Sequence, residues 1–442
     1  MRASVNRAPN GLRFDTIAVL GAHDHAAALE ARGSICEPLD FGPAQHFGSA
    51  EDMRACLAGE TDGWVYGRIG NPTVQNLEVT LASLETYGSS IEGEAAATAS
   101  GMFAIFAATS PFLKIDSQLP GSANIVVSAG CYGGTYMLFH ERYQGDRGVE
   151  VRWVQPSAPA EVWADHIDAG TRFIFVETPS NPGLALVDVP ALAKLAEQHS
   201  LPLIVDSTVA TPALHRPLSQ GADIVVHSAS KTMSANGLSI AGALIARKNI
   251  RSRVGPERLR ENFARYVKNT VLREIGGTLS PFNALMTLTS LRSLRTNVDN
   301  FSASAERIAQ FLNEHDAVAS VQYPGLPGEF HALACRDLVL VDAEQAGKPL
   351  NRFGSLISFR PSGGPDAAFR TLDAMKLFWR ANDLGRVKST ATIPAIATHG
   401  QLDESARLRA TVPADLIRIS IGQEHTDDLI ADLDAALAEA ST

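Results

Sequence analysis

Two residues that could do chemistry, a lysine and an aspartate, stand at the ends of short apolar runs. Lys231 follows such a run within Ser228-Ala-Ser-Lys231, and Asp206 is the last residue of Leu203-Ile-Val-Asp206. Desolvation favours the neutral, nucleophilic form of a lysine amine, which can form a Schiff base with an aldehyde. A carboxylate at a buried strand end needs a cationic or hydrogen-bonding partner, and a protonated pyridine nitrogen would be one. Taken singly, Lys231 is more simply a surface lysine and Asp206 a helix cap or a structural carboxylate.

Further segments have groups suited to a phosphate or a planar ring. The segment Ser100 to Met102 precedes an apolar run, and a helix that begins there would present free N–H groups to a phosphate. Arg68 lies in a tight turn after Tyr66, and its planar guanidinium suits a phosphate. Tyr132 could stack on a ring, and Asn181 could reach a ligand oxygen. Each segment also has a simpler interpretation: a helix cap, an exposed turn, a core aromatic residue and a Pro-rich loop, respectively.

The elements that must position these residues are strands of one sheet. Between about residues 66 and 250, short apolar runs alternate with helical stretches, which predicts a parallel sheet covered on both faces. The predicted strands are 124–128, 172–177, 203–206, 223–227 and 242–246, and the clearest helix spans 189–199. In such sheets ligands bind beyond the carboxyl ends of the strands. Because three runs end in Glu177, Asp206 and His227, we expect their side chains to meet at one edge.

Three regions follow from the pattern along the chain. Residues 1–65 have no long periodic pattern and are predicted to be an arm. Residues 66–270 are predicted to form the ligand-binding domain, and residues 271–442 a smaller α+β domain. The predicted elements of the last region are helices at 303–313, 365–381 and 427–440 and strands at 318–323, 355–359 and 416–421.

Composition excludes several classes of function. With 442 residues and 45% hydrophobic content, the chain can bury a large core. A net charge of −10 argues against nucleic acid or an anionic membrane as a partner. The cysteines are far apart, no apolar run reaches the length of a membrane span, and the amino terminus lacks a secretory signal, so we expect a cytoplasmic protein. We predict no metal site, since His23 and His25 have no third ligand nearby.

The order of the motifs is more specific than any one of them. The motifs are Tyr66-Gly-Arg68, Asn71-Pro-Thr73, Ser100-Gly-Met102, Tyr132-Gly-Gly134, Glu177-Thr-Pro-Ser-Asn-Pro182, Asp206-Ser-Thr208 and Ser228-Ala-Ser-Lys231. In this order they resemble the Cys/Met-metabolism family of pyridoxal 5'-phosphate (PLP) enzymes, over roughly residues 14 to 440. The resemblance implies an α/β, fold-type I PLP-dependent transferase with a mostly parallel seven-stranded sheet covered by helices and a smaller α+β C-terminal domain.

The resemblance also implies a role for each matched residue. Lys231 would hold PLP as a Schiff base and then move protons, Asp206 would pair with the pyridine nitrogen, and Tyr132 would stack on the ring. Asn181 and Thr208 would lie at the ring hydroxyl. The phosphate would be held by Ser100, Gly101, Met102, Ser228 and Ser230. Tyr66 and Arg68 would reach the phosphate from a neighbouring subunit, which implies a homodimer with shared active sites and, by family habit, a homotetramer.

On the substrate side the resemblance points to an O-acetyl- or O-succinylhomoserine sulfhydrylase. Arg418 matches the arginine that binds the carboxylate of the amino-acid substrate, and a bidentate clamp is the physical reason for that residue type. Lys388-Ser389 is similar to the Lys-Ser/Thr form common in sulfhydrylases. The implied reaction is γ-replacement on an O-acylated homoserine by sulfide or a small thiol, which gives homocysteine or methionine and serves methionine biosynthesis.

Three departures from the family pattern lie on this side of the site, and alternatives stay open. Asp383 stands where the family usually has Ser or Asn, and a carboxylate there should repel the substrate's own carboxylate unless it faces away or meets an amine. Ile393 replaces a histidine, and the segment around Asp40 differs from the family's arm. The alternatives are a γ- or β-elimination lyase, a cystathionine γ-synthase, and a catalytically silent relative that only binds PLP.

Overall fold

A seven-stranded sheet dominates the computed structural model, which describes residues 11–58, 60–61, 63–113 and 122–440. Its strands are β1 (Gly93–Thr98), β2 (Asn124–Ser128), β3 (Glu150–Val154), β4 (Thr171–Glu177), β5 (Leu203–Asp206), β6 (Ile224–His227) and β7 (Gly242–Arg247). They lie in the order β1-β7-β6-β5-β4-β2-β3. All run in one direction except β7, which is antiparallel to both of its neighbours. The mostly parallel sheet is therefore confirmed.

Two strands of this sheet, β1 and β3, were not among the five predicted from the apolar runs. The β1 sequence Gly-Glu-Ala-Ala-Ala-Thr has neither β-branched nor aromatic residues before its last position, so no strand propensity marks it. The β3 strand lies at the sheet edge and is only partly buried. Both strands are held by pairing with a neighbour that the sequence does mark, β7 and β2 respectively.

The two faces of the sheet bury separate apolar clusters. Along β4, Phe173 and Phe175 contribute to one cluster, and Ile174 and Val176 to the other. All four side chains are fully buried. Because successive residues of a strand point to opposite faces, this strand is covered on both sides, as its continuous apolar run predicts.

The C-terminal region has a sheet of its own. Its strands are β8 (Val318–Gln322), β9 (Val339–Gln345), β10 (Lys348–Asn351), β11 (Leu356–Pro361), β12 (Trp379–Arg380), β13 (Thr390–Thr392) and β14 (Ile417–Ser420). Five of them form a sheet in the order β12-β13-β14-β11-β8, and β9 and β10 form a hairpin.

Helices cover both sheets. The longer ones are Ala50–Ala58, Pro72–Glu85, Gly101–Thr109, Val189–Gln198, Pro281–Leu291, Leu294–Glu314, Gly364–Ala374 and Thr426–Ala440. Shorter α-helices are Phe14–Leu20, His25–Glu30, Gly133–Met137, Ala160–Asp165, Thr211–Leu214, Glu257–Glu261, Phe263–Val267, Arg273–Ile275, His331–Asp337 and Glu404–Arg409. Leu138–Gly145 and Lys268–Leu272 are π-helical, and the 3-10 turns are Ser110–Leu113, Pro217–Gln220, Thr232–Ser234 and Pro394–Ile396.

The predicted helix at 365–381 was wrong at its end, since it stops at Ala374. The Asp432 carboxylate of the last helix accepts hydrogen bonds from the backbone N–H groups of Lys376 and Leu377, at 2.9 to 3.1 Å. Trp379 then donates its backbone N–H to the Ser389 carbonyl as β12 begins. Tertiary partners thus take the amides that a longer helix would have used.

All four cysteines lie in the described part of the chain and are free thiols. Among the described residues, no helix combines the length and the apolar character needed to cross a lipid bilayer.

Candidate functional site

The site lies where β4, β5 and β6 end. Glu177 and Asp206 are register partners at the last positions of β4 and β5, and His227 ends β6. All three side chains are buried. Their meeting at one sheet edge is confirmed, and it is a direct consequence of parallel pairing.

Asp206 has a half-satisfied carboxylate. Its Oδ1 accepts hydrogen bonds from the Thr208 hydroxyl at 2.6 Å and the Thr208 N–H at 3.0 Å. No described residue donates a hydrogen bond to Oδ2. Burial raises the pKa of Asp206, although the Thr208 hydrogen bonds and the nearby His227 oppose the rise. A cation at Oδ2 would stabilise this carboxylate, and a pyridinium N–H is such a group.

Glu177 is a site residue whose role the sequence did not predict. Its Oε2 accepts the Tyr132 N–H at 2.6 Å, and its Oε1 accepts the Asn181 N–H at 2.8 Å. Burial and the charge of Asp206 raise the pKa of Glu177 well above its ordinary value. One buried side chain therefore fixes two loops that carry predicted ligand contacts. Its position at the end of a buried strand was the only available signal.

The segment at Ser100 forms a tight cradle against Ser228. The Ser100 hydroxyl caps the helix that begins at Gly101 by accepting the Phe103 N–H at 3.1 Å. A Cβ on Gly101 would lie 2.6 Å from the Ser228 Cβ, so only glycine permits this approach. Thr208 accepts the Ser228 N–H at 2.8 Å, which links the cradle to the Asp206 loop. A helix start beside a second serine is suited to a phosphate.

The other predicted phosphate contacts have different surroundings. The Ser230 hydroxyl donates to the Ala241 carbonyl and accepts the Ala241 N–H, both at 2.9 Å, so its capacity is used within the protein. The Met102 sulfur lies 3.1 Å from the place where a Cβ on Gly134 would be, next to the Tyr132 ring. A phosphate contact by Ser230 or Met102 stays a prediction.

Lys231 is in contact with the C-terminal region. Its Nζ lies 2.9 Å from Asp383 Oδ1, and Asp383 Oδ2 lies 2.7 Å from Arg386 Nε. Burial alone would raise the pKa of Asp383, but the hydrogen bond from Arg386 and the charge of Lys231 outweigh burial and lower it. The Asp383 carboxylate is therefore anionic and contacts the Lys231 amine. This contact is one of the two arrangements expected to limit its repulsion of a substrate carboxylate.

Arg418 is a buried guanidinium with capacity left for an anion. It is 1% exposed, and it donates Nη1 to Asn181 Oδ1 at 3.0 Å and Nη2 to the Asp383 carbonyl at 2.7 Å. Its Nε is buried and has no partner among the described residues. Burial lowers the pKa of Arg418 to about 10, so the group is still charged at neutral pH. A buried, unpartnered donor on a cation is suited to a carboxylate.

The Tyr132 ring lies against Gly134, and its phenol is influenced by the charges of Glu177 and Arg418. A Cβ on Gly134 would lie 2.6 Å from a carbon of the Tyr132 ring, so the glycine allows the ring to lie close to the helix start. Burial and the charge of Glu177 raise the pKa of Tyr132, while the charge of Arg418 opposes the rise. The phenol therefore keeps its proton at neutral pH and can act as an acid.

Tyr66 and Arg68 contact each other, and Arg68 contacts the backbone at Arg273. The Arg68 guanidinium lies 5.0 Å from the Tyr66 ring centroid, and its Nε donates to the Arg273 carbonyl at 2.9 Å. Within the described residues, no hydrogen bond joins either side chain to another predicted site residue. Their predicted place in a neighbouring subunit's site stays a prediction.

Two more buried groups adjoin the site. His227 Nε2 lies 3.2 Å from Glu85 Oε2, and both side chains are fully buried. His399 is also buried, and burial lowers its pKa to about 4, so its imidazole is neutral. The described residues include no group of three or more His, Cys, Asp or Glu side chains arranged to hold a metal ion.

The residues present fit a phosphate-bearing pyridine aldehyde. Asp206 Oδ2 can accept a hydrogen bond from a cation, and the helix start at Gly101 can bind an anion. The Tyr132 ring can stack on a planar ring, and Lys231 supplies an amine. These features lie on loops that share hydrogen bonds through Thr208 and Glu177.

Comparisons with known proteins agree with this geometry. Residues 18–438 match the family model described as Cys/Met metabolism PLP-dependent enzyme. An O-succinylhomoserine sulfhydrylase of Pseudomonas aeruginosa is 36% identical over 429 residues, which cover 97% of this chain and 96% of that protein. An L-methionine γ-lyase of Pseudomonas deceptionensis is 36% identical over 413 residues, which cover 93% of this chain and 94% of that protein.

A solved structure from Campylobacter jejuni, assigned as an O-acetylhomoserine (thiol)-lyase, matches with a TM-score of 0.85 and 32% identity, and it covers 97% of this chain and 100% of that one. It contains a lysine bonded to a pyridoxyl monophosphate. The chain therefore belongs to the Cys/Met-metabolism family of PLP-dependent enzymes and has their fold-type I architecture.

Proposed function

We propose that this enzyme replaces the acyloxy group of O-acetyl- or O-succinylhomoserine with sulfide or a small thiol, giving homocysteine or methionine. Enzymes of this family bind amino-acid substrates. The observation that carries the proposal is the buried Arg418, whose unpartnered Nε lies in the same hydrogen-bonded group as Asp383 and Lys231. The Lys388-Ser389 pair and the sulfhydrylases among the relatives support replacement.

The proposed roles at the cofactor follow from the contacts described above. Lys231 would hold PLP covalently, Asp206 would keep its ring nitrogen protonated, and Tyr132 would cover its ring. Asn181 and Thr208 would lie at the ring hydroxyl, and the cradle at Gly101 would hold the phosphate. When bound, the cofactor withdraws electrons from the substrate's α-carbon.

The protein's own groups would then bind the substrate and move its protons. Arg418 would bind the substrate's carboxylate and fix the α-carbon near Lys231. Lys231 Nζ, once free, would take the α-proton. Loss of a β-proton then allows the bond between the γ-carbon and the ester oxygen to break, so that acetate or succinate leaves. Sulfide adds at the γ-carbon, and protons return to the β- and α-carbons. Tyr132, which keeps its proton, would be the acid near the leaving group.

An elimination reaction is the second candidate, because L-methionine γ-lyases are as similar to this chain as the sulfhydrylases are. A lyase would release a keto acid and ammonia without an added nucleophile. A cystathionine γ-synthase would instead use cysteine as the nucleophile. A silent relative would bind PLP but would exchange no α-proton of an amino acid.

We also propose that the enzyme is a homodimer with shared sites, and a tetramer in its full assembly. The arm of residues 1–65, the PLP-binding domain of 66–270 and the C-terminal domain of 271–442 would be its parts. The exposed Tyr66 ring, and an Arg68 side chain with no hydrogen bond to another predicted site residue among the described residues, support a site completed by a second subunit.

The first prediction concerns the reaction. With PLP bound, O-acetylhomoserine or O-succinylhomoserine plus sulfide should give homocysteine, measured by mass spectrometry. Lys231→Ala is the blank. Keto acid and ammonia released at the same rate with and without sulfide would identify a lyase. No turnover of either donor would contradict the replacement activity.

The second prediction separates the two roles of Tyr132. Tyr132→Phe should leave PLP affinity unchanged and lower kcat/KM by about 100-fold, because the ring stays and the proton donor is lost. Tyr132→Ala should weaken PLP binding as well. Tyr136→Phe is the matched control and should change neither quantity. Tyr136 lies one helical turn after Tyr132, and its ring centroid is 4.7 Å from that of Trp153. Wild-type kcat/KM in Tyr132→Phe would assign the proton to another group.

The third prediction tests the shared site. Arg68→Ala and Lys231→Ala should each be strongly impaired alone. If Arg68 serves the neighbouring subunit, a refolded equal mixture should recover about a quarter of wild-type activity, because mixed dimers regain one intact site. If Arg68 serves its own subunit, the mixture should recover nothing.

A further inference from the structure

The Lys231–Asp383 ion pair joins the two parts of the molecule at the centre of the site, and the proposed mechanism does not use it. Lys231 Nζ and Asp383 Oδ1 are 2.9 Å apart, with side chains that are 27% and 31% exposed. The same Oδ1 accepts the Leu384 N–H at 2.9 Å, so the carboxylate is also held by its own backbone.

Arg386 fixes Asp383 to the turn that carries the lysine. Its Nε donates to Asp383 Oδ2 at 2.7 Å, and its Nη1 donates to the Ser234 carbonyl at 2.7 Å. Ser234 is three residues after Lys231, so one guanidinium binds both sides of this contact. The Arg386 side chain is only 15% exposed, which limits competition from water.

The backbone of this C-terminal segment lies directly on the lysine turn. Val387 donates its N–H to the Ala235 carbonyl at 3.0 Å. A Cβ on Gly385 would lie 2.6 Å from the Thr232 nitrogen, and its φ of +71° also favours glycine. The position of Asp383 relative to Lys231 is thus set by main-chain packing and by Arg386 together.

We propose that Asp383 is the positioning residue of Lys231: when the lysine amine is free of the cofactor and neutral, it donates an N–H to Asp383 Oδ1, its lone pair takes the proton of the substrate's α-carbon, and the carboxylate stabilises the ammonium that forms. A free lysine side chain has many rotamers, and a fixed carboxylate restricts them. This inference rests on the proposed role of Lys231 but on no particular donor or nucleophile.

The charge of Asp383 distinguishes a positioning role from a structural role, because the two roles predict different effects on substrate binding. A carboxylate near the substrate's carboxylate weakens binding, and Lys231 and Arg386 offset this repulsion only in part. Removing the charge should therefore slow proton transfer and leave amino-acid binding unchanged or tighter. A residue with a merely structural role would weaken both when replaced.

The test measures exchange of the α-hydrogen of L-alanine in D2O by NMR, because L-alanine has no γ-leaving group. In Asp383→Asn and Asp383→Ser we expect exchange about 10-fold slower or more. The dissociation constant of L-alanine, read from the absorbance of the bound cofactor, should be unchanged or lower. Asp415→Asn is the matched control, since it removes a carboxylate paired with Arg360 at 2.9 and 2.8 Å in the same region, and it should change neither quantity.

A second measurement uses the protein without its cofactor. Limited labelling with an amine-reactive reagent, followed by peptide mass spectrometry, should modify Lys231 several-fold faster in Asp383→Asn than in the wild type or in Asp415→Asn. If the Asp383 variants do not fold, Arg386→Met should give the same changes in smaller measure, because Asp383 loses its anchor.

Wild-type exchange in a folded Asp383→Asn protein would overturn the proposal, and so would slower exchange together with weaker L-alanine binding, which is the pattern of a structural role. Slower exchange in the variants of a protein that turns over neither O-acylhomoserine would support the proposal and contradict the proposed function, so the two fail separately.

Discussion

A buried carboxylate at the end of a parallel strand is the constraint on which the rest of this site depends. Asp206 is buried and accepts the Thr208 hydrogen bonds on only one of its oxygens. Its register partner on the neighbouring strand is a second buried carboxylate, Glu177. Two buried carboxylates side by side are unfavourable unless hydrogen bonds and a cation compensate. The backbone N–H groups of Tyr132 and Asn181 compensate Glu177, and the cationic ring of the cofactor would compensate Asp206.

The second half of the site comes from the C-terminal region, which brings charge to the other side. Arg418, Asp383 and Arg386 approach the loops of the main sheet through Asn181, Lys231 and Ser234 respectively. The strand ends therefore supply the predicted cofactor contacts, and the C-terminal region supplies the proposed substrate contacts. Two of the three departures from the family pattern, Asp383 and Ile393, lie in this C-terminal region, and the third is the segment around Asp40.

The sequence predicts the first half of the site better than the second. Asp206 and Lys231 follow apolar runs, and a polar residue at a strand end is a local signal that requires no knowledge of the fold. The role of Glu177 was missed because its partners are backbone amides, one of them 45 positions away at Tyr132, and backbone contacts leave no mark in the residue types. The Asp383–Lys231 pair joins residues 152 positions apart, and no periodicity reports such a contact. Strand β1 was missed because its alanines have no strand propensity.

The most direct test of the central claim is to find which lysine binds the cofactor. The PLP-loaded protein would be reduced with borohydride, digested and analysed by peptide mass spectrometry. We predict a phosphopyridoxyl group on Lys231. We also predict that the Asp206→Ala protein, before reduction, lacks the characteristic absorbance of bound PLP. A phosphopyridoxyl group on another lysine, or PLP absorbance unaffected by that substitution, would contradict the pairing of Lys231 and Asp206 across one ring.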